Sequence, residues 1–265
     1  MPLQLITSIK GAVVKKENQM SRKYKNPPIV EALCEFQFIS EQAWDFTIHG
    51  LFYEKINKDF PDKQKQMGIG IRLKKEANTI QHEVSQSPER MQFFRKDKTA
   101  LVQVGPDLLT VNHLKPYPTW KFFKPLILDN LSKYREIAKP KGLKRLGLRY
   151  INKIDIPQKS IELSDYFNYY PYIPKVLPQI HGAFTVRTEI PYEENRDHML
   201  LTIGNAISEK PDALSFLLDF DYVMVIPDKV AIDQVGEWIE KAHAVVEENF
   251  EACITDKCRK IFDEE

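Results

Sequence analysis

A chain of 265 residues with 38 basic and 37 acidic side chains has a net charge of +1. It lacks the basic excess on which non-specific nucleic-acid binding by counterion release depends. With 43% apolar and 28% charged residues it has a globular composition, enough to bury a core without disulfides or metals, which excludes a disordered or fibrous chain.

The opening residues, MPLQLITSIKGAVVKK, lack a basic start, and Lys10 splits their apolar run, so they make a poor secretory signal. Met20 offers a second start, and residues 1–22 are expected to be mobile. No uncharged apolar run approaches the roughly 18 residues of a membrane span, so no membrane association is expected. Pro27-Pro28 block a helix. From Ile29 to Phe38 the pattern alternates, with Val30, Ala32, Cys34, Phe36 and Phe38 on one face and Glu31, Glu35 and Gln37 on the other. That is a half-buried strand. A helix is expected over Thr47–Phe60, where Ile48, Phe52, Ile56 and Phe60 recur at helical spacing before Pro61.

Strands are expected near 67–74, 90–96, 99–105 and 107–113, punctuated by SQSPE, KDK and GPD. A helix over about 119–138 carries Trp120, Phe123, Ile127, Leu131 and Tyr134 along one side, with Pro125 in its second turn. Arg145–Ile156 alternates again, placing Leu146, Leu148, Tyr150, Ile154 and Ile156 together. The aromatic segment DYFNYYPYIP follows from Asp165, then strands near 180–190, 198–207 and 214–226. One long helix is expected over about 230–262, striped by Ile232, Val235, Ile239, Ala242, Val246 and Cys253. This order predicts an α+β fold, an antiparallel sheet with helices on one face. After the N-terminal extension it divides into two tandem strand–helix–strands–helix halves, Lys23–Pro140 and Lys141–Glu265.

The segment Tyr24-Lys25-Asn26-Pro27-Pro28-Ile29-Val30-Glu31-Ala32, running into Cys34-Glu35-Phe36-Gln37-Phe38, resembles the opening box of an uncharacterised, sporadically distributed prokaryotic protein family of about this length. Three later stretches are similar to the same family: Gly147-Leu148-Arg149-Tyr150-Ile151-Asn152-Lys153-Ile154, Leu218-Asp219-Phe220-Asp221, and the C-terminal helix with Trp238, Ala242-His243 and Phe250. The resemblance covers about 23–262 and implies a cytoplasmic prokaryotic protein. It supplies no activity and no catalytic residue.

Candidate chemistry starts at Asp219 and Asp221, which share a strand face and so can meet one divalent cation or ammonium group. Phosphoryl-transfer sites use such pairs with a third carboxylate, for which Asp155 is the candidate. The plainer reading is two acids paired with arginines. Arg145, Arg149 and Lys153 form a basic face at even spacing, and Arg187 and Glu189 have compatible parity on a later strand. With Glu31 and Glu35 they predict one mixed-charge face opposite the helices, either a structural charge ladder or a groove for a polar ligand. The stretch Lys115–Lys124 interleaves lysines and aromatics, as a base-stacking surface does, and as a helix start with snorkelling lysines also does. Tyr166, Phe167, Tyr169, Tyr170 and Tyr172 fit a loop packed on the sheet or a protein interface, where tyrosine is enriched.

Cys34, Cys253 and Cys258 are an odd number without paired spacing and read as reduced structural thiols. On one helix Cys253 and Cys258 would lie about 140° apart and share no ligand site. His49, His82, His113, His181, His198 and His243 show no ligand spacing, with His243 expected to be packed. No phosphate loop, dinucleotide loop or nucleophile elbow occurs. No metal and no cofactor are expected. The leading expectation is a non-catalytic binding or scaffold protein acting through a protein partner or as a homodimer. A nucleic-acid-binding protein using the basic face, with Lys121 and Lys124 at its edge, is the second reading. A metal-dependent phosphoryl-transfer enzyme centred on Asp219 and Asp221 is the third.

Overall fold

A computed structural model describes residues 22–263 except 42, 77–78 and 181, with backbone alone over 67–88. The expected mobile stretch 1–22 lies outside the described residues but for Arg22, which pairs with Asp263 at 2.7 Å. Among the described residues the alternating segments form nine strands: β1 (Ile29–Ile39), β2 (Asp62–Glu76), β3 (Thr79–Phe94), β4 (Ala100–Gly105), β5 (Leu108–Leu114), β6 (Gly142–Ile156), β7 (Thr185–Tyr192), β8 (Asp197–Ala206) and β9 (Leu214–Met224). They make one antiparallel sheet in the order β2-β3-β4-β5-β1-β6-β9-β8-β7. The helices are α1 (Thr47–Ile56), α2 (Trp120–Ala138), α3 (Leu163–Tyr166), α4 (Val235–Cys253) and α5 (Asp256–Asp263). The fold is α+β.

β1 and β6 meet at the centre, Cys34 opposite Leu148, and each carries the strands of its own half outward. Because side chains alternate across a strand, this register sets Ala32, Cys34, Phe36 and Phe38 beside Leu146, Leu148 and Tyr150 on one buried face. Phe216, Leu218, Phe220 and Tyr222 of β9 extend it. α2 and α4 lay their apolar stripes on this face. Phe38 stacks on Tyr134 with ring centres 4.7 Å apart, and Tyr222 packs on Trp238 at 5.5 Å. Each such aromatic side chain contributes about 1.5–3 kcal/mol by leaving water.

A buried carboxylate fastens α4 to the sheet. Asp197, at the start of β8, is fully enclosed and accepts the Trp238 indole N–H with both oxygens at 3.2 Å. It also accepts the Tyr222 hydroxyl at 3.2 Å and the Arg196 guanidinium at 2.5 Å. A buried charge persists where such donors surround it.

The box at the first strand ties the two ends of the chain together. Tyr24 sets its ring edge against Phe250 and Phe262 and donates its hydroxyl to Glu251 at 2.5 Å. The Pro28 carbonyl accepts the Lys153 amide at 2.9 Å, which locks the entry of β1 onto β6.

Three expectations need correction. The SQSPE stretch is no turn: β3 runs through it, and Pro88-Glu89 lie in a bulge opposite Met67, where a missing N–H disturbs no ladder bond. The C-terminal helix is two helices. Ile254 turns extended (φ −115°, ψ 155°) and bridges Phe167, and the Thr255 hydroxyl then accepts the Cys258 amide to begin α5. Cys253 and Cys258 therefore lie on different helices. Third, Tyr166 and Phe167 are core residues, 4% and 0% exposed, so neither is free to meet a partner. α3 turns Leu163 and Tyr166 inward at i, i+3, and Phe167 packs on Phe216 at 5.2 Å.

Candidate functional site

The face of the sheet opposite the helices carries the predicted charged residues. Strand parity and register place Glu31 and Glu35 of β1, Arg145, Arg149 and Lys153 of β6, Asp219 and Asp221 of β9, and Arg187 and Glu189 of β7 on this side. Arg145 bridges three strands: Nη1 donates to Glu35 at 3.0 Å and Nη2 to Asp221 at 2.9 Å. It reaches both because Gly147, the next residue on that face, has no side chain, and a Cβ there would stand 2.9 Å from the guanidinium. Arg149 forks onto Asp219, Nε to Oδ1 at 2.8 Å and Nη2 to Oδ2 at 2.6 Å, a geometry that only guanidinium supplies. This hydrogen bond raises the Arg149 pKa further. Lys153 meets Glu209 at 3.1 Å in the connection after β8.

The ionic rows continue as an amide ladder across the first half. Gln64 donates to Gln92 at 2.8 Å, Gln92 to Gln66 at 2.8 Å and to Gln103 at 3.2 Å. Gln103 donates to Asn112 at 3.1 Å and Asn112 to Glu31 at 2.6 Å. A continuous polar network thus spans β2 to β1. The sequence reading missed it, although Gln92 and Gln103 have the parity that marks them.

Arginines and the ladder take up the acids on which a metal site would draw. Asp155 accepts the Ser215 hydroxyl, and Ser215 is four residues along β9 from Asp219, about 13 Å at strand rise. Among the described residues no three His, Cys, Asp or Glu converge as a metal would require. Two concavities, of 390 and 120 Å³, lie elsewhere, one among Lys58, Asp59, Arg95, Lys96 and Asp97, the other against Trp44, Asp107 and Tyr134.

The Asp221 carboxyl is displaced upward. Burial raises it, outweighing Arg145 and Arg149, which pull it down. A carboxyl raised on folding binds its proton more tightly in the folded state, so its stabilising share is complete below the ordinary carboxylate range. That share is lost as pH climbs through the raised value. Asp221→Asn removes this loss while keeping an acceptor for Arg145. The variant should be at least as stable as the native chain at pH 7 in urea titrations and should lessen the fall in stability as pH climbs above the ordinary carboxylate range. A clear loss at pH 7 would refute this.

The other candidates are dispersed. Lys121 and Lys124 belong to α2, on the helix side, and Lys124 pairs with Glu240 at 2.5 Å, so the structure does not join them to the arginine face. Trp120 stacks on His243 at 4.3 Å and Phe123 is buried, which removes both from a base-stacking surface. His243 meets the Tyr150 hydroxyl at 3.2 Å, and that hydroxyl meets Tyr117 at 2.9 Å. Burial pushes both phenols up, so neither supplies a base near neutral pH. Burial raises the Cys34 thiol and pushes Cys253 and Cys258 up to about 12, leaving them unreactive. His82 and His181 lie outside the described side chains. Of the aromatic candidates, Tyr169 is half-buried with its hydroxyl on Thr188 at 2.7 Å, while Tyr170 and Tyr172 are exposed.

No family model matches this chain, and no curated protein is similar to it. No helix among the described residues is long and apolar enough to cross a membrane.

Proposed function

We propose that this chain is a non-catalytic binding or scaffold protein that works through contact with another protein, a partner or a second copy of itself. One observation carries the reading. Between Phe167 and β7 the chain holds Tyr172, Val176 and Ile180 out to solvent at 80, 91 and 85% exposure, with Tyr170 and Leu177 exposed among them. Large apolar side chains held out along one segment mark a surface that gains by being covered. The nucleic-acid and phosphoryl-transfer readings take second place, because Arg145, Arg149, Asp219 and Asp221 are engaged with one another. The mirrored strand order about β1 and β6 supports an origin by tandem duplication. The closeness of Tyr24 to Phe250 supports reading the box and the C-terminal helix as one signature of the prokaryotic family they resemble.

The test replaces Tyr172, Val176 and Ile180 together with serine in the full chain. The native protein should self-associate or retain a protein in affinity capture, and the triple variant should lose that contact by tenfold or more, about 1.4 kcal/mol. Its melting temperature should hold, since none of the three is buried. A native chain that stays monomeric and retains nothing overturns the reading.

A further inference from the structure

We infer that β7 is a self-complementary edge through which two copies of this chain join their sheets. The inference rests on the protein-contact reading above and names a second copy as the partner. Among the described residues β7 ends the sheet and pairs with β8 alone. The Asn205 amide donates to the Phe184 carbonyl at 3.3 Å, which fixes the alternation: residues 186, 188 and 190 turn their backbone groups to β8, and 185, 187, 189 and 191 turn theirs outward. Among the described residues those outward groups meet no partner. Pro191 falls on an outward position, so the one residue without an N–H disturbs no bond to β8.

The two edges differ in charge pattern. β2 carries Lys63 and Lys65, of one sign, whereas β7 carries no lysine, and its charges, Arg187 and Glu189, are of opposite sign and so can complement one another across a two-fold axis. A second copy of β7 can pair antiparallel only where outward residues face outward residues. A two-fold axis at Thr188 satisfies this, setting Arg187 opposite Glu189 of the other copy, twice, and Val186 opposite Ile190 on the helix side, twice. About six backbone hydrogen bonds form, the Thr185 amide reaching the Pro191 carbonyl of the other copy. Centring the axis on residue 187 or 189 sets arginine against arginine or glutamate against glutamate, which charge forbids. Arg187 is exposed and has no acidic partner among the described residues, while Glu189 is oriented by the His198 ring. The pattern is that of an isologous interface, in which one patch complements itself.

Charge reversal tests it in the full chain. Arg187→Glu and Glu189→Arg each place like charges opposite one another at both contacts. Each should raise the dimer dissociation constant about tenfold or more in sedimentation runs, and the double exchange should restore it. Thr188→Cys puts two thiols across the axis with Cα atoms about 4.5 Å apart, within disulfide reach, so oxidation should yield a covalent dimer. The native cysteines, all buried, should give none. A dimer indifferent to all three changes, yet dissociated by the serine triple variant, overturns the β7 pairing and leaves the protein-contact reading standing. A native chain that is monomeric at tens of micromolar overturns the pairing, and if it also captures nothing, both fall.

Discussion

Asp197→Ala is expected to cost about 3–5 kcal/mol of folding stability. The carboxylate is fully enclosed, and its removal strands the Trp238 indole N–H, the Tyr222 hydroxyl and the inner edge of the Arg196 guanidinium together. Tyr222 is fully buried and Trp238 nearly so. Asp197→Asn keeps one acceptor but presents an N–H₂ to donors, so it recovers only part of the loss. Burial and the neighbouring carboxylate both raise the Tyr222 pKa, so this phenol stays a donor throughout the accessible pH range. Urea denaturation at an unchanged m-value measures the cost. A loss under about 1 kcal/mol would mean that the Asp197 contacts do not fasten α4 to the sheet.

Arg145→Ala is the second large effect, about 3 kcal/mol. Glu35 and Asp221 are only 20% and 17% exposed, and without the guanidinium two partly desolvated carboxylates face each other across β6. Partial solvent access keeps the cost below that of a fully enclosed pair. Arg145→Lys should recover less than half, since one ammonium on a flexible stem cannot serve oxygens on both β1 and β9. The same urea titration decides it, and equal stability of native and alanine proteins would mean that water already screens the row. With Asp221→Asn close to neutral and Arg145→Ala costly, the cation would be established as the member that holds the row together.

The central strands were legible because a pleated strand leaves a period of two that few other structures leave. Ile29–Phe38 and Arg145–Ile156 announced both the buried face and the ionic one. The pairing of Arg149 with Asp219 was not legible, because it depends on register between strands that are more than sixty residues apart and are set by intervening loops. The start of β2 hid for a different reason: ahead of the strand expected near 67–74, Lys63-Gln64-Lys65-Gln66 is polar on both faces, so no apolar alternation marks it. The break at Ile254 was masked by an apolar residue that continues the helical stripe, although Thr255-Asp256 spells a helix start. Composition also cannot divide an aromatic cluster into buried and exposed members. Phe167 and Tyr172 are five residues apart, yet one fills the core and the other faces water, because a bridge to Ile254 captures the first. Asp197 gave no signal in the sequence, since a carboxylate before an apolar strand ordinarily lies in solvent.

The β1–β6 seam makes this chain indivisible despite its two-part order. β1 pairs through Glu31–Gln37 with β5 on one side and through Ile29 and Glu31–Ile39 with β6 on the other. Severing the polypeptide near Pro140 would strip one flank of that strand and bare Cys34, Phe36 and Leu148 along a raw margin. Neither fragment would inherit a finished interior, and each would present an adhesive border of unsatisfied amides and carbonyls. The two halves should therefore melt together, in one urea transition followed alike by every probe.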